Sequence, residues 1–172
     1  IADKKHWEDL IQLQQLEPKG IEPFIERSME IKQEVVNIDF YEKNIRKTLN
    51  FGHTIGHAIE SLCLSSANPV LHGEAVALGM ICEAHLSYLE GLLSLEDSEF
   101  IIENIVKYFC YIDITGFSEE QIFGLLLNDK KNQDEKINFS LLNSIGSCIF
   151  DHQCSTENIL KSLDYYKKLS NF

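Results

Sequence analysis

No two of the nine glycines stand two residues apart, so the G-x-G-x-x-G turn that opens a dinucleotide-binding βαβ unit is missing, and a doubly wound nucleotide-binding sheet is excluded. The five cysteines, at 63, 82, 110, 148 and 154, are odd in number and include no C-x-x-C pair. That pattern sets aside a zinc ribbon and a disulfide framework, and it fits a reducing cytoplasm. No apolar stretch approaches the roughly eighteen residues of a membrane span, and no basic leader with a cleavable apolar core opens the chain. Positive charge is scarce: 15 Lys and Arg face 27 Asp and Glu, a formal charge of -12. A nucleic-acid partner or an anionic membrane surface calls for the opposite balance. Internal repeats and low-complexity tracts are also lacking.

What the chain does have is a histidine cluster. His53 and His57 lie in the run Arg46-Lys-Thr-Leu-Asn50-Phe-Gly-His53-Thr-Ile-Gly-His57-Ala-Ile-Glu60, and Leu71-His72-Gly-Glu74-Ala-Val-Ala follows. Three of the six histidines therefore fall within twenty residues. Histidine is the commonest ligand for zinc-like ions, and on a helix His53 and His57 are i, i+4 neighbours on one face. His72, just before a Gly-Glu helix start, can close on them from a second element. The H-E-x-x-H form is absent, because Thr54 occupies the glutamate's place. On spacing alone the pair reads either as a metal or catalytic pair or as two half-buried imidazoles of an ordinary helix.

The 172 residues, 44% hydrophobic, suffice for one domain that buries roughly two-thirds of its unfolded surface. The periodicity predicts a mainly α fold. A first helix spans 3–16 with a stripe of Trp7, Leu10, Ile11, Leu13 and Leu16, and a second carries Phe24, Ile25, Met29, Ile31, Val35 and Val36 with Pro23 in its first turn. A polar loop, 37–44, leads to the motif helix. Turn formers between Cys63 and Leu71 separate it from a helix over about 73–89. Ser94 and the capping box Ser118-Glu-Glu-Gln121 open two more helices, 129–135 is a charged loop, and a final helix runs over about 156–169. The segments 137–142 and 147–150 flank Asn143-Ser-Ile-Gly146 as one short hairpin.

The strings LNFGHTIGHAIE and LHGEAVALGM resemble the C-terminal, metal- and substrate-binding domain of 3-dehydroquinate synthase, in the sugar phosphate cyclase superfamily. Lys32, fourteen residues before Arg46, then Asp39 and Glu42, and later Asp129-Lys-Lys-Asn132 and Ser140-Leu-Leu-Asn-Ser-Ile-Gly146 stand in the family's order. The resemblance covers essentially the whole chain. It implies a lyase of the shikimate pathway that makes 3-dehydroquinate and phosphate from an anionic seven-carbon sugar-acid phosphate, with NAD and zinc or cobalt as cofactors, and a homodimer at full length.

By that resemblance His53 and His72 are metal ligands, His57 is the acid-base group, and Lys32 and Glu42 assist it. Arg46, Asn50 and one of Lys130 or Lys131 bind the substrate. The third metal ligand, a glutamate, and the NAD-binding α/β domain belong upstream of Ile1, which is not a methionine, so the expectation is a chain cut from a larger one. Glu74, Glu60 and Asp39 read as helix-terminus or surface charge. The isolated residues are expected to show little synthase activity and weak metal affinity. The alternatives are another sugar phosphate cyclase, an iron- or zinc-dependent alcohol dehydrogenase domain, and a non-catalytic helical interaction module. The carboxylate-binding set Lys32, Arg46 and Asn50 argues against cyclases of uncharged sugars.

Overall fold

The structure is a computed structural model that describes residues 2–64, 68–127 and 137–169. It contains helices α1 (Lys4–Leu10), α2 (Pro18–Ile38), α3 (His53–Leu64), α4 (His72–Leu89), α5 (Leu95–Val106), α6 (Glu119–Leu127) and α7 (Thr156–Lys168). A short 3-10 helix, Ile45–Asn50, precedes α3, and an antiparallel hairpin, β1 (Asn138–Ser144) and β2 (Ser147–Gln153), precedes α7. The architecture is thus mainly α with one hairpin, as the periodicity predicts.

Helix α4 is the axis of the fold because its sequence is apolar on every side. A helix of that kind is stable only when surrounded. Ala75, Ala77, Leu78, Ile81, Cys82, Ala84 and Leu86 are all buried, and α3, α5, α7 and β1 pack around them. Ile55, Ile59, Ile122, Leu126, Leu141 and Leu163 complete a continuous core. Each such side chain contributes about 1.5–3 kcal/mol of transfer free energy. β1 is buried along Phe139–Leu142, since it runs between α4 and the 3-10 helix. Gly146, at φ +92, closes the tight turn to β2, a conformation that favours glycine.

Four boundaries differ from the sequence reading. α1 ends at Leu10 rather than near residue 16, because the carbonyls of Ile11 and Leu13 accept hydrogen bonds from Lys107 Nζ and Tyr108 Oη beyond the end of α5. These tertiary donors stop the helix while the apolar stripe continues. α2 begins earlier, with Pro18 in its first turn, so Pro23 lies inside the helix and costs it one backbone bond. It also runs on to Ile38, into the segment read as loop. β2 extends to Gln153. The two capping signals hold: Ser94 Oγ accepts from the Asp97 amide, and Ser118 and Gln121 satisfy each other's amides. The predicted loop at 129–135 lies outside the described residues.

Candidate metal centre

Three glycines bring the histidine-bearing helices together. A Cβ at Gly56 would meet the Ala75 carbonyl oxygen at 2.9 Å, and one at Gly79 would meet the Gly56 amide at 2.7 Å and press into the Gly52 carbonyl. Only hydrogen fits at this crossing of α3 and α4. Gly52, at φ +81, also makes the turn into α3.

The start of α3 is held from the other helix. Glu83, fully buried on α4, accepts the Gly52 amide at 2.6 Å through one carboxylate oxygen and the Ile55 amide at 3.1 Å through the other. A carboxylate at a helix N-terminus satisfies orphan amides and complements the macrodipole. Sequence reasoning missed Glu83. Its signal was a lone acid inside the otherwise apolar run 75–84, since a glutamate is almost never fully buried unless paired.

This scaffold sets His53, His57 and His72 around one point. Their ring centroids are 5.3 Å apart for His53–His57, 5.7 Å for His53–His72 and 5.6 Å for His57–His72. One nitrogen from each lies within 4.8 Å of the others. Tetrahedral zinc with bonds of about 2.0–2.1 Å places its ligand nitrogens about 3.4 Å apart, so small side-chain rotations close the set on an ion. His53 Nδ1–H donates to the Phe51 carbonyl at 3.1 Å, and His72 Nδ1–H donates to Glu60 Oε2 at 3.1 Å. Both acceptors take a proton from Nδ1, which puts the lone pair on Nε2, and the Glu60–His72 pair is the carboxylate–imidazole arrangement that orients and strengthens metal ligands. The donor chemistry therefore fits a zinc-type ion. Glu60, read from sequence as surface charge, proves to be a partner of His72.

A second group of predicted residues assembles one element earlier. Asn50 Nδ2 donates to Glu42 Oε1 at 2.9 Å, and Arg46 Nε stands 3.8 Å from Glu42 Oε2 while its guanidinium also donates to the Phe40 carbonyl at 2.8 Å. Glu42 sits at φ +55, a conformation most residues avoid. Asp39 builds this loop by accepting the amides of Lys43, Asn44 and Arg46 at 3.0, 2.6 and 3.1 Å. Burial alone would raise its pKa, but those three amides and the Arg46 charge outweigh burial and hold it below the ordinary carboxylate value. Asp39 is thus structural, and so is Glu74, whose carboxylate caps the Leu71 amide at 2.8 Å.

Lys32 belongs to α2. It lies on the exposed side of α2, beside a shallow cleft lined by Leu10, Phe24 and Met29. Lys130 and Lys131 lie outside the described residues.

Comparison with known proteins decides the family. The profile described as 3-dehydroquinate synthase C-terminal matches residues 1–132. The chain belongs to that family. It is similar to the 3-dehydroquinate synthase of Parabacteroides distasonis, at 38% identity over 83% of this chain and 40% of the relative, and to that of Thermodesulfovibrio yellowstonii, at 43% identity over 81% and 39%. The chain thus spans about two-fifths of the length of these curated relatives. Among solved structures, a 2-deoxy-scyllo-inosose synthase complexed with carbaglucose-6-phosphate, NAD+ and Co2+ aligns with TM-score 0.70 at 28% identity, covering 88% of this chain and 41% of that one. The 2-epi-5-epi-valiolone synthase of Streptomyces hygroscopicus, solved with NAD+ and Zn2+ bound, aligns with TM-score 0.70 at 19% identity over 96% of this chain and 45% of its own, and shares the fold. The 3-dehydroquinate synthase C-terminal family therefore accounts for both the helical architecture and the two histidine motifs.

Proposed function

We propose that the chain forms the metal- and substrate-binding part of a 3-dehydroquinate synthase, which converts 3-deoxy-D-arabino-heptulosonate 7-phosphate to 3-dehydroquinate and phosphate. The observation that carries this reading is the convergence of His53, His57 and His72, with one nitrogen of each within 4.8 Å of the others, in a member of that family.

His53 and His72 would hold a zinc or cobalt ion, together with a ligand from elsewhere in the full-length enzyme. The full-length enzyme also supplies the α/β domain that binds NAD. When bound, the ion polarises a substrate oxygen and NAD serves as a hydride acceptor regenerated within the cycle. His57, beside the ion, takes the proton from the substrate hydroxyl, a task for which imidazole is suited near neutral pH. Arg46 presents its planar fork to the anionic group of the substrate, and Asn50 orients a hydroxyl. Glu42 positions both through the contacts it makes with them. Lys32 and one of Lys130 or Lys131 add positive charge for carboxylate and phosphate, which a chain with a formal charge of -12 must provide locally. Five cysteines outside any disulfide support a working place in a reducing cytoplasm, and the whole enzyme acts as a homodimer. Among the described residues no helix is long and apolar enough to cross a membrane.

The test is a fusion of this chain behind the α/β part of the Parabacteroides distasonis relative. Phosphate release from 3-deoxy-D-arabino-heptulosonate 7-phosphate that requires NAD and a divalent metal, and that His57→Ala abolishes, is the expected result. A folded, metal-loaded fusion that turns over glucose 6-phosphate instead establishes a second reading, a different sugar phosphate cyclase. The likeness to 2-deoxy-scyllo-inosose synthase favours that reading.

A further inference from the structure

Helix α4 begins at His72, and a second cluster of metal-ligating side chains gathers at its other end, roughly 27 Å away at 1.5 Å per residue. Glu90 follows the last turn of α4, His152 lies near the end of β2, and Cys154 stands in the link from β2 to α7. One donor atom from each lies within 4.8 Å of the others. His152 Nε2 is 3.3 Å from Glu90 Oε2, and Asn158 Nδ2 donates to the other oxygen, Oε1, at 2.9 Å. The group is sheltered: the side chain of Glu90 is 14% exposed and that of His152 27%.

We propose that Glu90, His152 and Cys154 form a second metal site that takes a zinc-type divalent ion and clasps the hairpin to the ends of α4 and α7. Two stretches sixty-two residues apart, the end of α4 and the segment that runs from β2 toward α7, supply the donors, and the set mixes carboxylate, imidazole and sulfur. Sulfur and imidazole select zinc or cobalt over magnesium and calcium, which prefer oxygen alone. Three protein ligands leave the fourth tetrahedral position to water. Asn158 acts as a positioning residue, since its hydrogen bond fixes the Glu90 carboxylate. Such outer partners are worth about 10–100-fold in metal affinity.

Binding is balanced in protons and charge. The ion takes the place of the hydrogen bond that His152 Nε2–H donates to Glu90, so the neutral imidazole shifts its proton from Nε2 to Nδ1 and ligates through Nε2 with no net proton loss. The Cys154 thiol loses its proton to solvent. A thiol is protonated near neutral pH, so it stays neutral until a metal displaces the proton. One thiolate and one carboxylate then neutralise the two charges of the ion, and affinity rises with pH as one proton leaves.

Cobalt(II) titration of the 172-residue chain separates this site from the first. The three-histidine site has no sulfur, so a near-ultraviolet thiolate-to-cobalt charge-transfer band reports the second site alone. The expected result is a band that saturates at one equivalent, is lost in Cys154→Ser and in His152→Gln, and needs about tenfold more cobalt in Asn158→Ala. His53→Ala with His72→Ala leaves it intact, as does Cys148→Ser. Far-ultraviolet circular dichroism identical to the parent certifies the variants as folded. No band on titration, or a band unchanged in folded Cys154→Ser, overturns the proposal.

Discussion

The Glu83 carboxylate reaches across from α4 to accept the Gly52 amide at 2.6 Å, and so fixes where the histidine helix begins. Its other oxygen takes the Ile55 amide, so each carboxylate oxygen accepts a hydrogen bond in a fully buried position. Glu83→Ala strands two buried amides, each costing about 1–3 kcal/mol, so the expected loss of stability is roughly 2–5 kcal/mol. Glu83→Gln retains one acceptor and loses less, because its amide nitrogen cannot accept the second bond. Urea denaturation of the two variants checks the order. Equal stability of Glu83→Ala and the parent would sink the account.

Gly79 is the tightest point of the crossing, where an added methyl group meets backbone on α3 rather than a flexible side chain. Gly79→Ala therefore pushes the helices apart. Overpacking of a core usually costs about 1–3 kcal/mol, and a backbone clash belongs at the upper end of that range. Because the same displacement separates His53 and His57 from His72, zinc affinity measured by calorimetry falls together with the melting temperature. Gly124→Ala, inside α6 with open space around a Cβ, serves as the control: zinc affinity stays unchanged and the melting temperature does not fall, since alanine is the better helix former.

Much of this was readable in the chain because the signals are local. The i, i+4 spacing put His53 and His57 on one face, and the capping residues Ser94 and Ser118 announced their helices. The glycine before Ser147 marked the hairpin. What escaped was determined at long range. Gly52 and Gly56 meet Gly79 across more than twenty residues, and nothing near Leu13 reveals that Tyr108 will cap it and end α1. Glu60 looked like surface charge because its partner, His72, is on another helix. Glu90 and His152 stand sixty-two residues apart, beyond the reach of any spacing rule.

The histidines carry separable tasks in the proposed reading, and metal binding can tell them apart. His53→Ala and His72→Ala each remove a ligand, so zinc retained after dialysis falls by about tenfold or more in affinity. Glu60→Gln weakens the hydrogen bond that orients His72, with a smaller effect in the same direction. His57→Ala keeps zinc but abolishes turnover in the fused enzyme, because a proton acceptor is lost rather than a ligand. Atomic absorption after dialysis, with Cys154→Ser in every variant to silence the second proposed site, decides the matter. Loss of zinc from His57→Ala as complete as from His53→Ala would make all three imidazoles ligands.

Asp39 couples the loop that carries Glu42 and Arg46 to pH. Its folded-state pKa lies below the unfolded value, so the ionised form is favoured by folding and its contribution is fully present above about pH 4, the ordinary carboxylate range. That contribution is lost as pH falls through the depressed folded value. Asp39→Asn removes the charge at every pH, and its amide nitrogen cannot replace the second accepting oxygen. The variant is accordingly less stable than the parent near neutrality, and the gap narrows below pH 4 as the parent's own carboxyl protonates. Thermal melts across pH measure that narrowing, and a constant gap would show that hydrogen bonding to the ionised form is not what Asp39 supplies.

Arg46 and Glu42 set the last expectation. A guanidinium 3.8 Å from a carboxylate is held in place but only partly neutralised, since about a third of the Arg46 side chain remains accessible. An anionic substrate group can then share the fork with Glu42. Hydrogen bonds to charged groups contribute about 1.5–3 kcal/mol, so Arg46→Ala raises the fusion's KM about tenfold or more. Arg46→Lys recovers the charge but not the paired geometry and restores only part of the affinity. Glu42→Ala loosens Asn50 and Arg46 together, so it lowers kcat as well as raising KM, because hydroxyl orientation suffers with anion binding. An Arg46→Lys variant with unchanged KM would mean that the site reads charge alone and that the planar fork is not what recognises the substrate.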